Sequence, residues 1–308
     1  LLLLAAGLLA GPLAHALEQP AALLGAEDLK PLVGRSDVRL LDIRAPQDYA
    51  AGHVPGAVNT PYGQYRGPAD NPGKLPTAKQ LTQVLRRAGV TADQHVVVLH
   101  GGSNSTEFGA AARVYWTLKV GGLTRLSVVD GGLRAWKEIG GELSTEPTQA
   151  EPSEFTYVYD QSQIVTTEEL ARIVGQEETP RLLDARPAPF FQGAVKPATA
   201  ARYGTLPGAD SLDNGQFFAA DGFRLKPTEE LLALVQQSGA HQGDTVSFCN
   251  TGHWAATNWF VISEIAGNQA ARLYPASMVE WSRSELPMEN QPSRFGALLQ
   301  DLSNALKK

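Results

Sequence analysis

The sequence predicts an α/β protein built from two similar domains in tandem, each a mostly parallel sheet flanked by helices. Short runs rich in β-branched residues, such as "VRLLDIR", "HVVVLH" and "LSVVDGG", are bounded by turn residues and have the length of buried strands. Between them, "TAKQLTQVLRRAGV" and "KPTEELLALVQQSGA" place apolar residues at helical spacing and end near glycine. Strands that alternate with helices predict a mostly parallel sheet. A chain of 308 residues is long enough for two such domains.

An internal repeat supports the tandem arrangement. The segment "LLDIRAPQDYAAGHVPGAVNTPY" at residues 40–62 has a counterpart in "LLDARPAPFFQGAVKPATAARYGTLPGADSLD" at residues 182–213. The matching anchors are Asp42 with Asp184, Arg44 with Arg186, His100 with Cys249, and Trp136 with Trp281. The members of each pair are separated by about 140 to 155 residues, which indicates one duplicated domain and not a short-period solenoid.

The chain divides into four segments. We expect a signal peptide at residues 1–16, a first domain at 17–143, a linker at 144–163 and a second domain at 164–308, which carries the cysteine. The linker "STEPTQAEPSEFTYVYDQSQ" is rich in Pro, Ser, Thr and Glu, and we expect a short strand at "FTYVY" within it.

The first sixteen residues, "LLLLAAGLLAGPLAHA", are almost wholly apolar and end in a small-x-small triplet. This pattern is typical of the apolar region and cleavage site of a signal peptide, here truncated at its start. The run is short for a membrane span, and Pro12 interrupts it. We therefore expect export to a bacterial periplasm, with no stable membrane insertion once the leader is cleaved. An uncleaved anchor is the alternative.

Composition excludes several classes of function. Hydrophobic residues make up 43% and charged residues 19% of the chain, as in soluble globular proteins. Lys and Arg total 26 against 32 Asp and Glu, a net charge of −6, and no long basic run occurs. We therefore expect no nucleic-acid partner. We also expect no cofactor and no metal, because one Cys with one His four residues later gives two ligands, whereas stable zinc sites need three or four.

The only cysteine, Cys249, occupies a position suited to chemistry. It follows the predicted strand "TVSF" at the carboxyl edge of the sheet, and a helical pattern begins near Ala255. Amides and the dipole at a helix start favour an anion, so this setting favours a nucleophilic thiolate. Gly252 allows the loop to turn its amides inward. The alternative is a small buried cysteine that only fills the core.

The pattern "D-x-R…Y…GH-x-PGA…DGG…W", with a cysteine loop in the second copy only, resembles the rhodanese family of two-domain sulfurtransferases over nearly the whole mature chain. The residues that carry the resemblance are Asp42, Arg44, Tyr49, Gly52, His53, Pro55, Gly56, Ala57, Asp130, Gly131, Gly132 and Trp136 in the first copy, and Tyr274, Ser277, Glu280 and Trp281 in the second.

The resemblance implies a site and a reaction. Cys249 is implied to be the catalytic residue and to open a six-residue loop whose other members, Asn250, Thr251, Gly252, His253 and Trp254, surround the substrate or the persulfide. Its thiolate takes a sulfane sulfur from a donor such as thiosulfate and passes it to cyanide or a thiol. His100 replaces the cysteine in the first copy, so that domain is expected to be catalytically silent and to form one wall of an interdomain cleft.

Three features depart from the family pattern. The loop "CNTGHW" has neither the cationic residues of the thiosulfate type nor the small residues of the mercaptopyruvate type. Phe190 stands where the second domain often has an arginine, and Thr205 stands where a histidine is expected. We therefore expect less positive charge than usual, and modest thiosulfate affinity or another persulfide donor. We also expect His253 to be partly cationic at neutral pH and to face the substrate with Trp254.

Other interpretations separate on single features. A cysteine phosphatase or an arsenate reductase needs an arginine six residues after the cysteine, and that residue is Ala255. A non-enzymatic exported carrier that delivers persulfide sulfur to a partner protein stays open. The Asp42–Arg44 and Asp184–Arg186 pairs are expected to be structural, and His100 is expected to be a packed residue at a strand end.

Overall fold

A computed structural model describes residues 19–176, 179–293, 295–298 and 300–301. Within them the chain forms two sheets in which all paired strands are parallel, with helices around each sheet. The predicted α/β class with two tandem sheets is therefore confirmed. The predicted signal peptide lies outside the described residues.

The first sheet has the strand order β1-β5-β4-β2-β3. Its strands are β1 (Leu23–Leu24), β2 (Val38–Asp42), β3 (Val58–Asn59), β4 (His95–Leu99) and β5 (Leu126–Val129). The helices of this half are α1 (Ala26–Leu29), α2 (Pro46–Ala50), α3 (Ala78–Arg87), α4 (Ser105–Val120) and α5 (Gly132–Glu138). The three predicted strands of this half are β2, β4 and β5. The two-residue β1 gave no periodic pattern.

The second sheet has the order β7-β6-β8-β9. Its strands are β6 (Arg181–Asp184), β7 (Asp210–Ser211), β8 (Thr245–Phe248) and β9 (Ala271–Leu273). The helices are α6 (Thr167–Ile173), α7 (Ala188–Phe191), α8 (Thr228–Gln237), α9 (Trp254–Phe260) and α10 (Ser277–Trp281). A π-helical turn, Val261–Ile265, continues α9. Short 3-10 turns span Lys30–Leu32, Tyr62–Tyr65, Gln161–Gln163 and Asn214–Phe217.

Helix α4 joins the two halves. Asn104 starts it, because its side chain accepts hydrogen bonds from the amides of Thr106 and Glu107. The helix packs on its own sheet and also against α9 of the second half, so nearly all of its side chains are buried. One apolar cluster therefore runs through both halves, from Val98 and Phe108 to Trp259 and Phe260.

The expected strand at "FTYVY" is wrong. Residues 155–159 pair with no strand of the described residues and lie along the first half through side-chain contacts. Arg86 Nε donates to the carbonyl of Phe155, the Tyr157 amide donates to Thr82 Oγ1, and the buried Tyr157 hydroxyl donates to the Thr117 carbonyl. The alternation of aromatic and β-branched residues arises because Tyr157 docks on a helical surface.

The structural roles predicted for the repeated anchors are confirmed. The ion pairs Asp42–Arg44 and Asp184–Arg186 both close at 2.6 Å between nitrogen and oxygen. Trp136 and Trp281 are buried, each in the core of its own half. Among the described residues, no helix combines the length and apolarity needed to cross a membrane.

Candidate active site

Cys249 lies at the carboxyl edge of the second sheet, where the chain leaves β8 and turns into α9. The residue is 1% exposed and lines a cavity of about 150 Å³. The other lining residues are Thr106, Asn250, Thr251, His253 and Trp254. The predicted strand–loop–helix arrangement is present, and Thr106, on the first turn of α4, adds a wall from the other half.

The backbone around Cys249 leaves amides open. The amide N–H groups of Asn250, Thr251 and His253 donate to no acceptor among the described residues, whereas those of Cys249 and Gly252 both donate to Ser277 Oγ at 3.1 Å. Unpaired N–H groups that lie beside a helix start form a concavity suited to an anion. The loop therefore presents polar donors around a buried thiol.

The loop that follows β4 in the first half offers a direct comparison. There the Gly102 amide donates to His100 Nδ1 at 3.2 Å, and the Ser103 amide donates to the Glu107 carboxylate at 2.7 Å. His100 Nε2 donates in turn to the Val129 carbonyl, and burial lowers the pKa of His100 to about 4. The side chains of His100 and of Glu107, on the first turn of α4, thus occupy donors of the kind that stay free around Cys249.

Ser277 fixes the base of the cysteine loop. Its hydroxyl donates to the Tyr274 carbonyl at 2.7 Å while it accepts the two loop amides. Its φ is +54°, in the left-handed region, and Gly132 holds the same φ at the matching place in the first half. A serine in this conformation costs about 1–2 kcal/mol, which the three hydrogen bonds of its hydroxyl offset.

His253 is tied to the first half, and the expectation that it is partly cationic at neutral pH is wrong. Its Nε2 donates to the Thr106 carbonyl at 2.6 Å, and its Nδ1 accepts from the Tyr62 hydroxyl at 3.0 Å. Arg66 donates to the same Tyr62 oxygen at 2.6 Å. Burial, and then the neighbouring Arg66, lower the pKa of His253 to about 3. The ring is therefore neutral and works as a bridge between the halves.

Trp254 and Phe190 form an apolar edge. The Trp254 indole N–H donates to Thr106 Oγ1 at 3.2 Å, and its ring meets Phe190 edge-on at 6.0 Å between centroids. Asn250 is held from below, since its Oδ1 accepts from Arg186 at 3.4 Å. Thr205, at the place expected for a histidine, donates to Asp184 Oδ2 at 2.7 Å and completes the Asp184–Arg186 pair.

Sequence reasoning expected the first half to form one wall of the cleft but missed the charge that this half brings. It considered charge only in the loop and in the second half, whereas Arg66 and Arg113 bring two guanidinium groups to the loop from the other half. Neither forms an ion pair with a carboxylate of the residues that the structure describes. The contacts of these two arginines with the loop join residues 138 to 187 positions apart, which no local pattern encodes. In the described part of the chain no cluster of three or more His, Cys, Asp or Glu residues could hold a metal ion.

Two parallel sheets, with one cysteine loop at the carboxyl edge of the second, define an α/β protein with a thiol site between its halves. Residues 25–139 match the family described as the rhodanese-like domain. SseB of Mycobacterium tuberculosis, provisionally named a thiosulfate sulfurtransferase, is 31% identical over 283 residues, which cover 84% of this chain and 93% of SseB. A protein of Pseudomonas aeruginosa, provisionally named a 3-mercaptopyruvate sulfurtransferase, is 31% identical over 282 residues, 85% of this chain and 95% of that protein.

The fold is also that of a solved relative. The crystal structure of SseA from Escherichia coli, a 3-mercaptopyruvate sulfotransferase described with a rhodanese fold, superposes with a TM-score of 0.71 at 23% identity, over 84% of this chain and 99% of SseA. The chain belongs to the rhodanese family. It is a transferase of the sulfurtransferase class, and the resemblance found in its sequence is confirmed.

Proposed function

We propose that the protein transfers a sulfane sulfur from a donor such as thiosulfate to a thiophilic acceptor, cyanide or a thiol, through a persulfide on Cys249. The observation that carries the proposal is the buried thiol among the free amides of Asn250, Thr251 and His253. Both the thiolate and the persulfide are anions, so one set of N–H donors serves both forms.

Each half-reaction balances without a cofactor. The Cys249 thiolate attacks the outer sulfur of thiosulfate, a sulfur–sulfur bond forms, and sulfite leaves with the electron pair of the broken bond. Cyanide then attacks the terminal sulfur of the persulfide, thiocyanate leaves, and the thiolate returns. A thiolate acceptor gives an organic persulfide in the same way. The total charge is constant in every step, so the reaction needs no proton donor beside the N–H groups of the loop.

The site supports a small anionic donor. Its cavity of about 150 Å³ suits a molecule of a few heavy atoms. Arg66 and Arg113 contact the loop from the first half, behind the residues that line the cavity. These two cations supply charge that the loop "CNTGHW" lacks. Relatives carry both thiosulfate and 3-mercaptopyruvate in their names. We propose thiosulfate as the better donor and expect a higher kcat/KM for it than for 3-mercaptopyruvate.

The test is a thiosulfate-to-cyanide assay on the wild type and on Cys249→Ser, with intact mass after incubation with thiosulfate alone. The wild type should gain the mass of one sulfur atom and lose it on addition of cyanide. The serine variant should do neither. Ser263→Ala, at a buried serine on the helix beyond the loop, is the matched control and should stay active. A wild type that gains no sulfur, or activity that survives in Cys249→Ser, would sink the proposal.

A persulfide carrier for a partner protein is the alternative function. Cys249 is 1% exposed and lines a small cavity, which favours small acceptors over a thiol on a folded partner. A carrier would load one sulfur and show no repeated turnover with cyanide or small thiols, so the same assay separates the two functions.

We also propose that the protein works after export, on the strength of the apolar run at residues 1–16 and the single cysteine. Fractionation of the source cells, with the N-terminal mass of the mature chain, tests this. Recovery in the cytoplasm with the apolar segment intact would overturn it.

A further inference from the structure

Arg113 is a buried cation of the first half. It projects from α4, is 0% exposed and pairs with no carboxylate of the described residues. Its Nη1 donates to the carbonyls of Gly252 at 3.1 Å and Thr251 at 3.4 Å, and its Nη2 donates to the Gly73 carbonyl at 3.3 Å. Its Nε has no hydrogen-bond partner within the part of the chain that the structure describes. A guanidinium buried in this way is costly unless an opposite charge lies nearby for part of the time.

The groups that face Arg113 leave one candidate for that opposite charge. The titratable or charged neighbours that act on it are Tyr62, Arg66, Cys249 and Tyr159. Arg66 is itself a cation, and burial raises the pKa of Tyr62 and takes that of Tyr159 to about 12, so both phenols are neutral near pH 7. His253, which also borders the loop, is neutral for the reason given above. Of these neighbours, Cys249 is the one that can supply the negative charge.

The backbone geometry explains how Arg113 acts on the loop. Because it binds the carbonyls of Thr251 and Gly252, these oxygens point toward α4, and the N–H groups of the loop are left for the thiol side. Gly252 has φ +67°, and a Cβ there would lie 2.3 Å from Arg113 Nη1. The loop and the guanidinium are therefore fitted closely to each other.

We propose that Arg113, supplied by the domain without a cysteine, is a positioning residue that orients the Cys249 loop and stabilises the anionic forms of Cys249 by its fixed charge. The inference deepens the proposed function and rests on it. It assigns to the first domain an electrostatic role in the reaction. The residue that performs this role lies on α4, a helix that no sequence motif marked as part of the site.

Alkylation by iodoacetamide tests the inference, because the chain has one cysteine and the mass adduct reports Cys249 alone. Arg113→Gln keeps donors for the loop carbonyls and removes the charge, whereas Arg113→Lys keeps the charge with one nitrogen. We expect the midpoint pH of alkylation to rise by one unit or more in Arg113→Gln, which lowers the rate of alkylation about tenfold at a pH below the wild-type midpoint. Arg113→Lys should stay closer to the wild type than to the Gln variant. Arg39→Gln, a half-buried arginine on β2, is the matched control and should not move the midpoint.

A wild-type midpoint in Arg113→Gln, or an equal rise in Arg113→Lys, would overturn the inference. Should the Gln variant fail to fold, the wild type alone still decides. A buried charge is little screened, so the midpoint should be nearly the same in 0.05 M and 1 M salt, and a shift of a full unit would assign the effect to an exposed cation instead. Alkylation needs no sulfur transfer. A wild type that forms no persulfide would contradict the proposed function. If the wild type forms a persulfide and the alkylation midpoint of Arg113→Gln is unchanged, only this inference is contradicted.

Discussion

Gly252 shows how tightly the cysteine loop is packed at the scale of a single residue. Its φ of +67° is in the left-handed region, and a Cβ would lie 2.3 Å from Arg113 Nη1 and 2.5 Å from the Pro275 carbonyl oxygen. Gly243 has a similar φ of +77° with nothing within 4 Å of the same position. The two glycines therefore separate backbone strain from steric contact.

We expect Gly252→Ala to lower the free energy of unfolding by about 3 kcal/mol, because strain and overpacking add, and Gly243→Ala to lower it by about 1 kcal/mol through strain alone. Urea unfolding of both variants measures the difference. If both variants lose the same free energy of unfolding, Arg113 and Pro275 can move away from the added Cβ at no cost.

Ser277 gives a second prediction at the residue scale. Ser277→Ala leaves the amides of Cys249 and Gly252 without their acceptor and should cost about 2–3 kcal/mol of unfolding free energy. Ser277→Gly loses the same bonds but relieves the left-handed φ, so it should be about 1 kcal/mol more stable than the alanine variant. Urea titrations compare the two, and an alanine variant as stable as the wild type would remove Ser277 from the support of the loop.

Some residues of the site are positioned by neighbours in the sequence, and others only by contacts between distant parts of the chain. Cys249, Gly252 and the start of α9 were predictable, because the strand, the loop and the helix that position them are contiguous. Thr106, Tyr62, Arg66 and Arg113 were not, because each reaches the loop only through the packing of the two halves. The prediction that His253 is partly cationic was wrong for the same reason, since the burial of its ring depends on residues of the other half.

At the scale of elements, the pairing of α4 with α9 and the π-helical turn after it holds the two halves in register. Glu264, in that turn, accepts from the Tyr115 hydroxyl and from Lys119 Nζ, both at 2.7 Å, and its side chain is 8% exposed. The Ser263 hydroxyl also donates to it at 2.7 Å, so this carboxylate depends on three donors.

We expect Lys119→Met to cost about 2 kcal/mol of unfolding free energy, since it leaves the buried Glu264 charge with the hydroxyl partners alone. Adding Glu264→Gln to that variant should recover part of the loss, because the uncompensated charge is then gone. A double-mutant cycle by urea unfolding measures the coupling, and strictly additive losses would contradict it. Arg134→Met, which removes an exposed i,i+4 partner of Glu138, is the control and should cost less than 1 kcal/mol.

Each half also sends a connecting segment to the other. After the Tyr62–Tyr65 turn, Asn71 donates to Glu280 at 2.9 Å, and Gly73 packs against Pro275. After the corresponding Asn214–Phe217 turn, the Leu225 amide donates to Asp130 at 3.0 Å. The duplication was legible in the sequence, but this exchange was not. It explains why a domain that lacks the cysteine still borders the cysteine loop.

At the scale of the whole molecule, buried histidines make stability depend on pH. Burial lowers the pKa of His95 and His100 to about 4 and that of His253 to about 3, whereas each would titrate near 6.5 when unfolded. Between these values the unfolded chain binds protons that the folded chain does not. The stability they contribute is therefore present above pH 6.5 and is lost as the pH falls toward 4.

Asp130 acts in the opposite direction over part of this window. Burial raises its pKa to about 6, so near pH 5 the folded chain holds a proton there that the unfolded chain lacks. Three histidines against one aspartate leave a net excess of two protons on the unfolded state. Since each proton changes the free energy of unfolding by about 1.4 kcal/mol per pH unit, we expect a fall of about 3 kcal/mol per unit around pH 5.

Urea unfolding at pH 7.5, 6 and 5 measures this slope, with His95→Gln as the matched variant. His95 lies at the start of β4, away from Cys249, and its Nε2 bonds to Ser127 at 2.8 Å, which a glutamine amide can replace. Removing this histidine should reduce the slope by about 1.4 kcal/mol per pH unit without changing sulfur transfer at pH 7.5. A wild type whose stability stays constant between pH 7.5 and 5 would show that the histidines are protonated in the folded state. The assignment of a neutral His253 as the bridge between the halves would then be wrong.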